Sequence, residues 1–151
     1  MKKIVVKAIA TGLGAGYAPF ASGTVGSMPP WFIAYLLIKG DQLTLALVTA
    51  VSIIISVWSA GEAESYFGHD SKKIVIDEWA GMFITLLLVP YSLTNYLIAF
   101  VVFRALDVIK IFPARPAEKL PGGWGVTMDD VVAAIQSNVA TRLIILIIAK
   151  M

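Results

Sequence analysis

Lys72 to Pro90 reads KKIVIDEWAGMFITLLLVP: two lysines, a short apolar lead, the adjacent acids Asp77 and Glu78, then an apolar run to the proline. Burying a bare carboxylate costs on the order of several kcal/mol. Acids at the mouth of so apolar a segment must therefore be hydrated, paired or bound to a cation. The stretch predicts a polar, cation-holding site at the end of a membrane-associated helix.

The rest of the chain has the same character. Apolar residues make up 58% of the 151 and charged residues only 15%, and the mean hydropathy of +0.83 lies far from that of an average soluble domain. Length and composition predict a single integral-membrane domain spanning residues 1–151. The 12 basic and 10 acidic residues nearly cancel, and no basic run alternates with aromatics, which argues against a nucleic-acid partner. Cysteine is absent, which excludes disulfides, thiolate metal sites and cysteine-phosphatase chemistry. The N-terminal MKKIVVKAIATGLGAGYAPF carries signal-like charges, but its apolar core is short and soon turns Gly-rich, so it reads as part of the fold.

The expected fold is all-α: a small polytopic membrane bundle of about five membrane-associated helices, preceded by a Gly-rich loop. Pro30 to Ile38 reads as a short helix with its prolines at the start. Gln42 to Gly61 is uncharged and would rise about 30 Å, the thickness of a hydrocarbon core, with an acidic turn at Glu62 and Glu64 beyond it. Trp79 to Phe103 is divided by Pro90 and predicts a short hairpin, with Asp77 and Glu78 at one base and Arg104, Asp107 and Lys110 at the other. Ile111 to Gly125 reads as a loop, and Val131 to Ala149 as a final apolar helix. Lysines and arginines cluster near the N-terminus, at Lys72 and Lys73, and from Arg104 to Lys119, which predicts one cytoplasmic face for every unusual polar stretch.

Four constellations can carry chemistry. GLGAGYAPFASGTVGS, Gly12 to Ser27, offers close backbone approach and the hydroxyls of Ser22, Thr24 and Ser27 to an anion, although it lacks the P-loop ending and suits a tightly packed membrane segment equally well. Asp70, Asp77 and Glu78 suit either ordinary turn and helix-start positions or a hydrated divalent ion, since Mg²⁺ takes one or two carboxylates and keeps waters that a phosphate can replace. Arg104, Asp107 and Lys110 recur every three residues on one helical face, as a salt-bridge ladder or a phosphate cradle. In GGWGVTMDDVVAAI, Thr127 and Asp130 look like a capping box, with Asp129 as a first-turn acid.

SGTVGS at Ser22 to Ser27, IVIDEWAGM at Ile74 to Met82, FRALDVIK at Phe103 to Lys110 and GGWGVTMDDVVA at Gly122 to Ala133, in that order and spacing, resemble the phosphatidylglycerophosphatase A family. The similarity runs from about Thr11 to Ile135. The chain departs from the family's usual pattern at Ser22, where proline is common, at Ile111-Phe112 within a usual Lys-Pro-Trp-Pro run, and at Ala134, where glycine is common. The resemblance implies a membrane-bound bacterial enzyme of phospholipid biosynthesis, at the cytoplasmic face of the inner membrane, that needs Mg²⁺ and removes the terminal phosphate of phosphatidylglycerophosphate. On that basis Asp77, Glu78, Asp129 and Asp130, with Asp107 and Asp70 as further candidates, surround the metal and the reacting water. Arg104, Lys110 and the Ser22, Thr24, Gly26 and Ser27 stretch hold the phosphate, and the partner is a phospholipid in the bilayer.

Other readings are a CDP-alcohol phosphatidyltransferase, which needs widely spaced aspartates in one motif that this chain lacks, and a phosphohistidine phosphatase, for which the single His69 is insufficient. A non-enzymatic alternative is a small membrane cation transporter or scaffold. Such a protein places its acids near the bilayer midplane, whereas these cluster at segment ends.

Overall fold

The computed structural model describes residues 2–68 and 71–151. Met1, His69 and Asp70 lie outside the described residues, and with them the expected metal role of Asp70 and the loop reading of His69. Seven α-helices and no strand occur among the described residues: α1 (Lys2–Ala10), α2 (Ser22–Ile33), α3 (Gln42–Phe67), α4 (Asp77–Leu86), α5 (Leu93–Ile109), α6 (Ala114–Ala117) and α7 (Gly123–Ile148).

Two of these, α3 and α7, are long and apolar enough to cross a bilayer. At 26 residues each they extend about 39 Å, beyond the roughly 30 Å of hydrocarbon. The chain is thus all-helical as expected, with two membrane-length helices where about five membrane-associated ones were anticipated. The difference is clearest at α4. Its ten residues reach only about 15 Å, and every residue from Ala80 to Leu86 is buried among the other helices. A helix apolar all round suits a protein core as well as lipid, and α4 is that core.

Small residues let the long helices close around it. Ser52, Ser56, Ser59, Ala60 and Ala63 of α3 are buried, and Ser56 and Thr127 share a 2.8 Å hydroxyl contact across the α3–α7 interface. A Cβ on Gly123 would collide with the Val57 carbonyl, so only glycine permits this approach. At the far end of α4, the Asn138 amide of α7 donates to the carbonyls of Thr85 and Leu87, at the helix C-terminus where carbonyls lose their helical partners, and also to Ile84, which accepts the Leu87 amide as well.

Three boundaries differ from the sequence reading. Ser22 to Ser27 is not a loop but the opening turns of α2, entered through Ala21 at φ 46°. Pro29 and Pro30 therefore lie inside that helix, which continues as a wider π-helical turn over Ala34–Ile38. The last helix begins at Gly123, not Val131, so Thr127 and Asp130 lie within it and form no capping box. Helix α3 runs unbroken past Glu62 and Glu64 to Phe67, and the expected 111–125 loop contains α6.

Candidate active site

The first turn of α4 carries Asp77 and Glu78, and the last turns of α5 carry Arg104 and Asp107. Lys110 caps α5 at φ 49°, and the second turn of α7 carries Asp129 and Asp130. The two bases of the α4–α5 hairpin meet here. All seven side chains line one cavity of about 260 Å³, together with Ser22 and Gly23 at the start of α2 and Lys72.

Arg104 joins three elements. Its Nη1 pairs with Glu78 Oε2, lies 3.2 Å from Asp107 Oδ2 and donates to Ser27 Oγ at 3.3 Å. Ser27 Oγ in turn lies 3.1 Å from Glu78 Oε2 and 2.8 Å from the Gly23 carbonyl, with one hydroxyl proton to share between them. Lys110 forms a second knot, its Nζ bonded to Glu118 and, at 2.7 Å, to Asp129 Oδ2. Among the described residues Asp77 has no ion pair. Its Oδ1 accepts only the Glu78 amide, at 3.1 Å.

Five carboxylates, Asp77, Glu78, Asp107, Asp129 and Asp130, therefore share a cavity with three cations, Lys72, Arg104 and Lys110. Burial, and then the charges of Glu78 and Asp129, push Asp77 well above the ordinary carboxylate range. Burial and the Asp107 charge raise Glu78 to about 8, against the opposing pull of Arg104 and Ser27. Burial alone would lower Lys110, but hydrogen bonds and charge from Asp129 and Glu118 outweigh it and raise the ammonium's pKa. Among the described residues Asp129 Oδ1 and Asp130 Oδ2 are buried with no hydrogen-bond partner, a costly state for an acceptor.

These orphaned oxygens fit a divalent cation in part. Among the described residues no group of three or more acids is already arranged to hold an ion by itself. Mg²⁺ commonly takes one or two carboxylates and completes its shell with water and phosphate oxygens. The donor set suits an ion shared with a phosphate and not a cage made of protein alone.

Of the expected phosphate-binding group, Ser22 lines the cavity and its hydroxyl donates to the Lys72 carbonyl at 2.8 Å. Ser27 reaches the site through Glu78 and Arg104. Thr24 and Gly26 do not line the cavity, and Gly26 serves packing, since an added Cβ would stand 2.7 Å from Val75 Cβ. Gly23 was missed although it lies inside the quoted motif: a Cβ there would run into Glu78 Oε1 and Arg104. Glu118 was also missed, because nothing in its spacing ties it to Lys110.

The sequence profile described as phosphatidylglycerophosphatase A matches residues 8–145. The chain belongs to the phosphatidylglycerophosphatase A family. It is 36% identical over 132 residues to phosphatidylglycerophosphatase A of Escherichia coli, covering 85% of this chain and 77% of that one. The Haemophilus influenzae phosphatidylglycerophosphatase A is 34% identical over 131 residues, 84% and 80% of the two chains. A Bacteroides thetaiotaomicron protein whose name carries a provisional phosphatidylinositol-3-phosphatase assignment is 37% identical over 137 residues, 85% and 86%. No solved structure matches the chain. As a member of the phosphatidylglycerophosphatase A family the chain is an enzyme, a lipid phosphatase.

Proposed function

We propose that this enzyme hydrolyses the terminal phosphomonoester of phosphatidylglycerophosphate to phosphatidylglycerol and phosphate, with Mg²⁺, as a multi-pass protein of the bacterial inner membrane whose site opens on the cytoplasmic face. The observation that carries this reading is the cavity in which acids from α4, α5 and α7 outnumber the cations and leave carboxylate oxygens unpartnered. The chain has no Cys and only one His, His69, and this reading assigns attack on phosphorus to water or to a carboxylate.

The chain's own residues divide the work. Arg104 and Lys110 receive phosphate oxygens, Arg104 with the two-pronged geometry of its planar head. The amides of Ser22 and Gly23 precede the first paired amide of α2, that of Val25, and add donors at a positive helix end. Asp77, Glu78, Asp129 and Asp130 are the residues that would hold Mg²⁺. When bound, the ion supplies charge neutralisation at the phosphate and acidifies water. Asp77 or Asp130 then takes the proton of the attacking water or itself attacks phosphorus. Solvent ¹⁸O appearing directly in released phosphate distinguishes the water route from a covalent aspartyl phosphate.

The lipid setting is supported by α3 and α7, which are long and apolar enough to cross a bilayer, and in this reading the acyl chains stay in the bilayer while the headgroup reaches the acids. The test is phosphate release from phosphatidylglycerophosphate in mixed micelles, expected to stop with EDTA and return with Mg²⁺. Faster release from phosphatidylinositol 3-phosphate would move the substrate to the one in the Bacteroides relative's name. Release from neither lipid would overturn the reading.

A further inference from the structure

A second cavity, of about 420 Å³, lies against Lys110 and is lined by Lys110, Phe112, Arg115, Pro116 and Lys119. Lys110 also lines the acid-rich cavity. Its ammonium is bonded to Asp129 and Glu118, so the Asp129–Lys110–Glu118 chain forms a partition between the two spaces. On the acid-rich side carboxylates predominate. On the other side Glu118 is the nearby acid, and Lys110 already engages it.

Arg115 and Lys119 are exposed, and among the described residues neither side chain makes a hydrogen bond or ion pair. Beside them Phe112 is 78% exposed and Ile111 is 48% exposed. Unpaired cations next to bare apolar side chains, on a protein with membrane-length helices, fit the headgroup layer of a bilayer. Positive charge near a membrane surface is common. A concave pair of cations that shares a wall with the catalytic cavity is a more specific arrangement.

The substrate proposed above carries two phosphates, a terminal monoester and, beyond one glycerol, a phosphodiester that is not cleaved. In the acid-rich cavity Arg104 and Lys110 are already engaged by carboxylates, which leaves Lys72 as its one other cation, whereas Arg115 and Lys119 stand together on the far side of Lys110. We propose that Arg115 and Lys119 bind the phosphodiester of the lipid whose terminal phosphate lies with Arg104 and the acids, so that the enzyme selects lipids bearing both groups. This rests on the phosphatidylglycerophosphate reading. Contacts to a part of the substrate that does not react bind ground state and transition state alike, so their loss raises KM and spares kcat.

The experiment compares full-length wild type with the Arg115→Gln/Lys119→Gln double variant in neutral detergent micelles. The expected result is a KM for phosphatidylglycerophosphate raised about tenfold or more, as for lost hydrogen bonds to charged groups. The kcat stays near wild type, and inhibition by inorganic phosphate, which needs only the catalytic cavity, is unchanged. The charge-conserving Arg115→Lys/Lys119→Arg variant, which reports on folding, recovers most of the KM. An unchanged KM overturns the proposal. So does a matching loss of inhibition by inorganic phosphate, which would place the two cations in the catalytic cavity. A defect seen only on anionic vesicles would mean general attraction to the membrane, and overturns it as well. Wild type that releases no phosphate from this lipid removes the substrate reading and the second site with it, and that control is read first.

Discussion

The two ends of the α4–α5 pair are built in opposite ways. At the Pro90 end, aromatic rings and satisfied polar groups close the fold: Trp31 stacks on Tyr35 with centroids 5.4 Å apart, its indole donates to the Tyr96 carbonyl at 2.8 Å, and the Tyr91 hydroxyl donates to the Tyr35 carbonyl at 3.0 Å. Gln42 accepts the Leu88 amide at 2.8 Å, and the buried Tyr96 hydroxyl is without a partner among the described residues. At the other end five carboxylates face three cations, and two buried carboxylate oxygens have no partner among the described residues. The aromatic end contributes stability. The acidic end gives some up, which is the usual condition of a site that must still bind charge.

The largest effect that would sharpen this contrast is on turnover. Asp77→Asn and Asp130→Asn should each cut phosphate release about a hundredfold or more, the scale of losing one group that stabilises transition-state charge. Their melting temperatures should hold or rise, since each removes one of several crowded like charges. A folded variant with normal turnover would break the comparison. Next comes Gly23→Ala, whose methyl must displace Glu78 or Arg104. We expect kcat/KM to fall about tenfold, the cost of one misplaced charged contact, with far-ultraviolet circular dichroism unchanged.

At the other end the effects should fall on stability instead. Asn138→Ala strips the side-chain donor from the Thr85 and Leu87 carbonyls at the α4 C-terminus, while Ile84 keeps the Leu87 amide. It should cost about 1–3 kcal/mol, read as a lower melting temperature in detergent, with kcat/KM within about twofold of wild type, as befits a change remote from the reacting groups. The smallest effect is on pH. Burial and Asp107 raise Glu78 in the folded protein from 4.5 to about 8, so the folded state binds the extra proton between those values. That stabilisation is complete below pH 4.5 and is lost as pH rises through 8. Metal-free protein should therefore melt at progressively lower temperature across that window, and Mg²⁺ should flatten the decline.

Much of the acidic end was legible in the sequence because chemistry constrains residue type. Asp77, Glu78, Arg104, Asp107, Lys110, Asp129 and Asp130 were all named from their motifs, and all line one cavity. Backbone form was less legible. Glycine's low helix propensity argued for loops at Ser22–Ser27 and before Val131, yet packing overrides it. Gly23 leaves room for Glu78 and Arg104, and Gly123 lets α7 approach α3, so both helices start early. The apolar run of α4 looked like half a membrane hairpin because composition alone does not separate a lipid-facing helix from a buried one. Glu118 and the neighbouring cations Arg115 and Lys119 gave no periodic signal, because they meet their neighbours only through the turn after Lys110.

The central claim is that α4 and α7 share one divalent ion. Mn²⁺, as a paramagnetic stand-in for Mg²⁺, can be titrated into the purified enzyme and followed by electron paramagnetic resonance, in wild type and in the two asparagine variants. The account predicts saturable binding in the wild type, competed by Mg²⁺, strengthened by inorganic phosphate and weakened sharply by either Asp77→Asn or Asp130→Asn. Equal Mn²⁺ affinity in all three proteins would contradict it.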